Sequence, residues 1–184
     1  MVIPFSKGVL ASLDESIMDD FYYWKYEELE QKAKNWNGPY IEEPHIDKLS
    51  FIKALEENRY IYPNVESTLA IMVEGHFIGT VGSYWIDKNT NWLEIGIVIY
   101  NSDYWESSIG TEVFQLWIDY LFKKDFVHRL GISTWSGNER MIKLAQKVGM
   151  REEARIRQAR SVKGQYFDAI KMGILKFEWL GVRE

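Results

Sequence analysis

Two β-prone runs, Trp92–Tyr100 (WLEIGIVIY) and His128–Thr134, flank one amphipathic stretch, and this arrangement constrains the fold more than any other part of the chain. Between the runs, Ile109, Val113, Leu116, Trp117, Tyr120 and Leu121 recur at helical spacing. A strand, a crossover helix and a returning strand place the two strands in parallel. The connection into the helix is polar and ends Ser107-Ser108, with Gly110 just beyond. Free backbone N–H groups at such a helix start, together with the helix dipole, form an anion site, above all a phosphate site. The same residues also describe a core helix with a serine cap.

Elsewhere the pattern predicts a strand over Lys7–Leu13 and a helix over about Ser16–Lys34, opened by Asp14, Glu15 and Ser16. A turn-rich loop, Asn35–Pro44, leads to a helix over about Ile46–Asn58. From Ser67 the period changes to two. Leu69–Glu74, Phe77–Ile86 and Trp92–Tyr100 read as a meander with turns at Gly75-His76 and Asp87–Asn91. Ser136 and Glu139 have capping-box spacing at the start of a helix that stops at Gly149. Arg151–Ser161 and Phe167–Phe177 form a closing strand pair through Lys163-Gly164-Gln165. The order βααβββαβαββ is an α+β pattern, a central mixed, mostly antiparallel sheet flanked by helices. At 184 residues the chain reads as one domain, 1–184.

The net charge of −5 argues against a general nucleic-acid binder. The absence of cysteine excludes disulfides, thiolate metal sites and a cysteine nucleophile, and it fits a cytoplasmic protein. His45, His76 and His128 lie far apart, so no metal site is predicted. No apolar run approaches the ~18–20 residues of a membrane span, and the N-terminus lacks signal-peptide character. No membrane partner is expected. The 8 Trp, 11 Tyr and 9 Phe fit a large core, a stacking surface or a homodimer interface equally well.

Element order and spacing together resemble the GNAT superfamily of acyl-CoA-dependent N-acyltransferases, and within it the ribosomal-protein N-terminal acetyltransferase subgroup. The resemblance runs from about residue 8 to 180. It is carried by Glu94-Ile95-Gly96, Tyr104-Trp105, Ile109-Gly110-Thr111-Glu112, His128-Arg129, Asn138, Gly149, Gly164-x-Tyr166-x-Asp168 and Glu178-Trp179. The family's phosphate loop, Gln/Arg-x-x-Gly-x-Gly/Ala, corresponds to Trp105-Glu106-Ser107-Ser108-Ile109-Gly110, with Ser108 where the first glycine stands. A serine there is harmless only where the backbone does not need positive φ. The resemblance implies that this loop and Thr111 hold the pyrophosphate of acetyl-CoA. It also implies that the strands at Trp92–Tyr100 and His128–Thr134 splay, with the pantetheine arm pairing with backbone groups of Ile97, Val98 and Ile99 and contacting Asn138. Asn138 can equally be a helix cap. Gly96 within a β-prone run suggests a bulge or a close backbone approach, or packing against a large aromatic.

Acetyl transfer needs a neutral amine and a polarised thioester carbonyl. An α-amine, with a pKa near ~8, needs a weaker base than lysine near ~10.4. Glu94, the acid within WLEIGIVIY, is the candidate general base, with a raised pKa expected beside the ligand gap. Met141 and Ala145 stand where related enzymes often carry a proton donor, and neither can donate. Arg160 stands where some relatives carry a basic glutamate; it suits an acidic substrate or a pairing with Glu94 or Asp168. Trp36 and Tyr40, in the loop between the first two helices, are candidates for the acceptor wall or for a dimer contact. The acceptor itself, a protein N-terminus or a small amine, is open. A non-catalytic coenzyme A-binding or interaction module of the same fold is the competing reading.

Overall fold

The computed structural model describes residues 1–181. Two short strands, β1 (Val2–Phe5) and β2 (Gly8–Ala11), open the chain as a hairpin. β1 is too short and mixed for its periodicity to have been read, and β2 is narrower than the strand expected over Lys7–Leu13. Helix α1 (Glu15–Tyr22) begins at Asp14, whose carboxylate accepts the Ile17 N–H at 2.9 Å. The long helix expected over Ser16–Lys34 does not form. It passes into a π turn at Tyr23–Glu27 and breaks at Glu28. The Glu28 carboxylate reaches forward to accept the N–H groups of Glu30 and Gln31, a local competitor for helical bonding. Gln31 then adopts φ 42°, and a 3₁₀ turn, Lys32–Asn35, follows. Helix α2 (Lys48–Glu57) is capped by Asp47.

After a small ribbon, β3 (Tyr60–Tyr62) and β4 (Val65–Glu66), the meander appears as expected: β5 (Thr68–Val73), β6 (His76–Asp87) and β7 (Trp92–Ile99). The β5–β6 turn sits at Glu74-Gly75, both at positive φ, so His76 is already in strand. Helix α3 (Ile109–Phe122) crosses to β8 (Arg129–Trp135). Helix α4 (Glu139–Lys147) leads to the β9 (Arg151–Val162) and β10 (Gln165–Leu175) hairpin, and α5 (Lys176–Gly181) replaces the expected end of the last strand.

One eight-stranded sheet runs β1-β2-β5-β6-β7-β8-β10-β9. Every pairing in it is antiparallel except β7 with β8. Helix α3 covers one face. Its Val113, Phe114, Trp117, Ile118 and Leu121 are fully buried, in the same cluster as Leu93, Ile95, Leu130 and Ile132. The Trp117 indole, buried with them, donates to the Gly82 carbonyl at 3.0 Å, so its polar atom is satisfied. Helices α1 and α2 form a second cluster with Ala70 and Phe77. The strand period therefore sends Leu93 and Ile95 to the α3 face and Glu94 and Gly96 to the opposite one. Gly96 pairs in unbroken register with Gly82, and a Cβ built on it meets nothing within 4 Å. It is neither a bulge nor a packing glycine; it opens on space.

Candidate active site

The parallel pair holds for only three residues: Trp92 with Arg129, Leu93 with Leu130 and Glu94 with Gly131. Beyond Glu94, β7 stays on β6 as far as Ile99, while β8 stays on β10 as far as Trp135. Each strand follows its antiparallel neighbour, so a wedge opens between them. The Tyr100 N–H donates to the Ile78 carbonyl of the β6 side at 2.8 Å. By alternation the backbone groups of Val98 also face β6, and those of Ile97 and Ile99 face the wedge. The Ile99 carbonyl there is taken by the Trp105 indole at 2.8 Å. Of the three residues expected to pair with a ligand, Val98 faces β6, Ile99 faces the wedge with its carbonyl already accepting one bond, and Ile97 faces the wedge.

From the wedge a cavity of about 890 Å³ extends to the start of α3 and along α4. Ile97, Ile99, Trp105, Glu106, Ser107, Ser108, Gly110, Thr111 and Asn138, all expected site residues, line it, as does Trp36. Ile109 does not; it is 2% exposed and belongs to the core. No side chain caps α3. Ser108, the residue before it, sits at φ 63°, ψ −12°, and Glu106 also sits at φ 63°. The loop therefore keeps the left-handed turn that glycine suits, and Ser108 bears the steric cost. Glu106 pairs at 3.3 Å with Arg140, whose guanidinium also stacks 4.6 Å from the Trp105 ring and 5.1 Å from the Trp36 ring.

Arg140, Lys143 and Lys147 bring positive charge to the same cavity. These residues were not singled out, although their spacing puts them on one face of α4. Asn138 caps α4, accepting the Met141 N–H at 3.1 Å, and its amide donates to the Trp36 carbonyl at 3.1 Å. The expected Ser136–Glu139 capping box is absent. Ser136 instead accepts the Asp168 N–H at 3.0 Å and ties α4's approach to β10. The Trp135 indole donates to the same Trp36 carbonyl at 2.8 Å. The loop carrying Trp36 is thus strapped across the open end of the wedge. Trp36, Trp105, Trp135 and Phe167 also border a second cavity of about 490 Å³.

Glu94 sits at the apex, on the face away from α3, and is 1% exposed. Lys171 donates to its Oε1 at 2.6 Å; Ser133 and Tyr84 donate to its Oε2 at 2.6 and 2.5 Å. Burial pushes the Glu94 carboxyl up. Hydrogen bonds from Lys171, Ser133 and Tyr84, with the Lys171 charge, outweigh it and hold the carboxyl below the usual carboxylate range. The expected rise is thus reversed, because the partner charge lies 77 residues away on another strand. Burial first, and then the Glu94 carboxylate, raise the Tyr84 phenol, so it stays protonated.

Arg160 reaches neither Glu94 nor Asp168. Its guanidinium lies 4.7 Å from the Tyr40 ring and its Nη1 donates to the Ala159 carbonyl. Asp168 pairs with Arg155 at 3.0 Å and accepts the Gln158 N–H within the hairpin. Gln158 has φ 53°, and the register slips beside it, so the arginines of β9 do not keep a simple alternation. Tyr40 lies 6.4 Å from Trp135, close to the wedge. Among the described residues, no cluster of three or more His, Asp or Glu is placed to hold a metal, and no helix is long and apolar enough to cross a membrane.

A parallel pair that splays beside an uncapped helix start, with a long cavity through the gap, narrows the family sharply. Residues 10–151 match the sequence profile described as acetyltransferase (GNAT) domain. The chain belongs to the GNAT acetyltransferase family. It is similar to the provisionally named ribosomal N-acetyltransferase YdaF of Bacillus subtilis (strain 168), 26% identical over 111 residues, a match spanning 60% of each chain. Among solved structures, RimL, a ribosomal L7/L12 α-N-protein acetyltransferase in complex with coenzyme A, superposes with a TM-score of 0.78 at 17% identity, covering 95% of this chain and 98% of that one. The spermidine N-acetyltransferase of Vibrio cholerae, in complex with coenzyme A and spermine, gives 0.76 at 18% identity, covering 93% and 96%. At these identities the structures establish the GNAT fold. The cavity joins a cationic α4 face and the uncapped α3 start to the apolar side chains of Ile97, Ile99, Met141 and Leu144.

Proposed function

We propose that this GNAT protein is an acetyl-CoA-dependent N-acetyltransferase that passes the acetyl group to a primary amine by direct attack in a ternary complex. The observation that carries the reading is the wedge between β7 and β8. It opens on one side into the cavity at α3 and ends, on the other, at Glu94. Acetyl-CoA would supply an acetyl group already activated as a thioester. Ser107, Ser108, Gly110 and Thr111, with Arg140, Lys143 and Lys147, would hold its phosphates. The wedge-facing backbone of Ile97 would meet the pantetheine amides, and its N–H is available to polarise a carbonyl. Asn138 acts by fixing α4 and the Trp36 strap.

On the acceptor face, Trp36, Tyr40 and Arg160 form the far wall and Glu94 the near one. Glu94 is ionised at neutral pH and is a weak base. An α-amine, partly neutral at pH 7, asks no more of it. Lys171 now occupies the position against Glu94 that an acceptor ammonium would take, so the amine reaches Glu94 by displacing it. Tyr84, held protonated, orients the carboxylate and is not itself the base.

The competing reading, a coenzyme A-binding module without turnover, is favoured by one observation: the side chains that bond Glu94, Tyr84, Ser133 and Lys171, are all donors, and one is a cation. Calorimetry with acetyl-CoA and coenzyme A, followed by thiol release over a panel of amines and peptides, separates the two. Binding with turnover, lost in Glu94→Gln while acetyl-CoA still binds, supports the enzyme. Binding without turnover on any amine supports the module. No binding at millimolar ligand removes both.

A further inference from the structure

Three buried side-chain polar atoms lack a hydrogen-bond partner among the described residues: Trp92 Nε1, Arg129 Nε and Arg160 Nε. All three are N–H donors, and a buried donor left unmet is costly. Strand alternation puts Trp92, Glu94 and Gly96 on one face of β7, and Arg129, Gly131, Ser133 and Trp135 on the same face of β8. Lys171 and Phe167 join that face from β10, since Lys171 bonds Glu94 and Phe167 packs edge-on against Trp135 at 4.8 Å. Arg160 lies opposite Phe167. The unmet donors therefore share the acceptor face, two below the apex of the wedge and one at its open end.

Trp92 and Arg129 border a cavity of about 200 Å³ that also touches Glu94, Gly131 and Lys171. The Arg129 guanidinium stacks 4.8 Å from the Trp92 ring and pairs with Glu153, which lines the same space. Gly131 keeps this space open: a Cβ there would lie 3.6 Å from Trp92 Nε1 and 3.7 Å from Glu94 Cγ. The formal charges around it, Glu94 and Glu153 against Arg129 and Lys171, cancel. The Trp92 and Arg129 Nε donors nevertheless meet neither carboxylate.

We propose that the acceptor is a primary amine that carries a carboxylate, its amine set against Glu94 and its carboxylate against Lys171 and the free donors of Trp92 and Arg129. The inference rests on the N-acetyltransferase reading and deepens it. A ligand with both charges can part the Glu94–Lys171 pair and give each member a new partner. A polyamine satisfies Glu94 but leaves Lys171 beside added positive charge, and it brings no oxygen to the Trp92 and Arg129 N–H groups. Arg160, stacked on Tyr40 and without a carboxylate partner among the described residues, serves the same class of ligand where the acceptor is longer.

The test uses the full chain saturated with coenzyme A, so that binding is read without turnover. Calorimetry compares alanine with ethylamine, γ-aminobutyrate with propylamine, an aspartate-initiated tripeptide, and spermidine. The carboxylate-bearing member of a pair is expected to bind about tenfold tighter or more, the size of a charge-assisted hydrogen bond. The free amino acids against the tripeptide identify whether the source is a small molecule or a chain terminus. Trp92→Phe keeps the ring under Arg129 and removes only the donor. It is expected to fold at least as stably, to bind acetyl-CoA unchanged and to shrink the carboxylate preference several-fold. Equal affinity within each pair, tightest binding to spermidine, no binding of any carboxylate-bearing amine at about 10 mM, or an unaltered preference in Trp92→Phe overturns the proposal. Acetyl-CoA binding with thiol release on spermidine alone would keep the N-acetyltransferase reading and discard this one, whereas failure to bind acetyl-CoA discards the parent reading.

Discussion

Replacing Lys171 with Met removes one charge from the apex and leaves the space filled. Glu94 keeps its bonds from Ser133 and Tyr84 but loses the ammonium at 2.6 Å. Removing one partner of a fully buried ion pair costs about 3–5 kcal/mol. Here the Lys171 side chain is 42% exposed while Glu94 is almost wholly covered, so solvent screens part of the interaction. The expected loss at pH 7 is about 2 kcal/mol, or about 5 °C in Tm for a chain of this length. Its pH dependence is the sharper test. In the parent protein the folded carboxyl lies below the unfolded value of about 4.3. Its stabilisation is therefore present above pH ~4.3 and fades as pH falls through the folded value. In Lys171→Met, burial dominates and the folded value rises above the unfolded one, which penalises the variant above pH ~4.3 and spares it below. Urea unfolding of both proteins from pH 4 to pH 8 should thus show a gap that widens with pH. Adding Glu94→Gln to the variant should recover most of the loss at pH 7. A gap of the same size at every pH, or no gap at pH 7, would refute the electrostatic account of the apex.

Ser108→Gly should relieve the left-handed strain at φ 63°. Set against glycine's added freedom in the unfolded chain, the net gain is about 0.5 kcal/mol by urea titration, and a loss above about 1 kcal/mol would show that the hydroxyl matters more than the backbone. Asn138→Ala removes both the α4 cap and the bond to the Trp36 carbonyl, an expected cost of about 2 kcal/mol; Asn138→Asp keeps the cap acceptor and should lose only the strap, seen as higher proteolytic sensitivity of the 31–44 loop. Gly79→Ala would place a Cβ 2.1 Å from the Val98 carbonyl oxygen, and neither backbone can yield without breaking the β6–β7 ladder. A loss above about 3 kcal/mol, or no folded protein, is expected. Gly96→Ala, with nothing within 4 Å, should change stability by no more than about 0.5 kcal/mol, and urea unfolding measures both glycine variants.

The meander, the crossover helix and the α3 core face were legible because each depends on periodicity within a few residues. Leu93 and Ile95 alternate with Glu94 in the chain just as they do across the sheet. The composition of the Ser107–Gly110 loop likewise marked the polar turn into α3. What local pattern could not carry was competition. The first helix ends where a single carboxylate, Glu28, outbids the backbone, and Ser136 leaves its helix to bind β10. Ile109, assigned to the phosphate loop by the resemblance, has both the helical spacing and the burial of a core residue.

The chain alone thus determined the element order and the face on which Glu94 would lie, since a period of two admits no other. Only the tertiary structure decided what Glu94 is. Its proton affinity depends on Lys171 and Ser133, brought to it by strand pairing, and electrostatic energy is set by distance in space rather than along the chain. The same holds for the wedge. No residue of β7 or β8 encodes a gap; it exists because each strand stays paired with its antiparallel neighbour, β6 or β10, after the two have parted at Glu94.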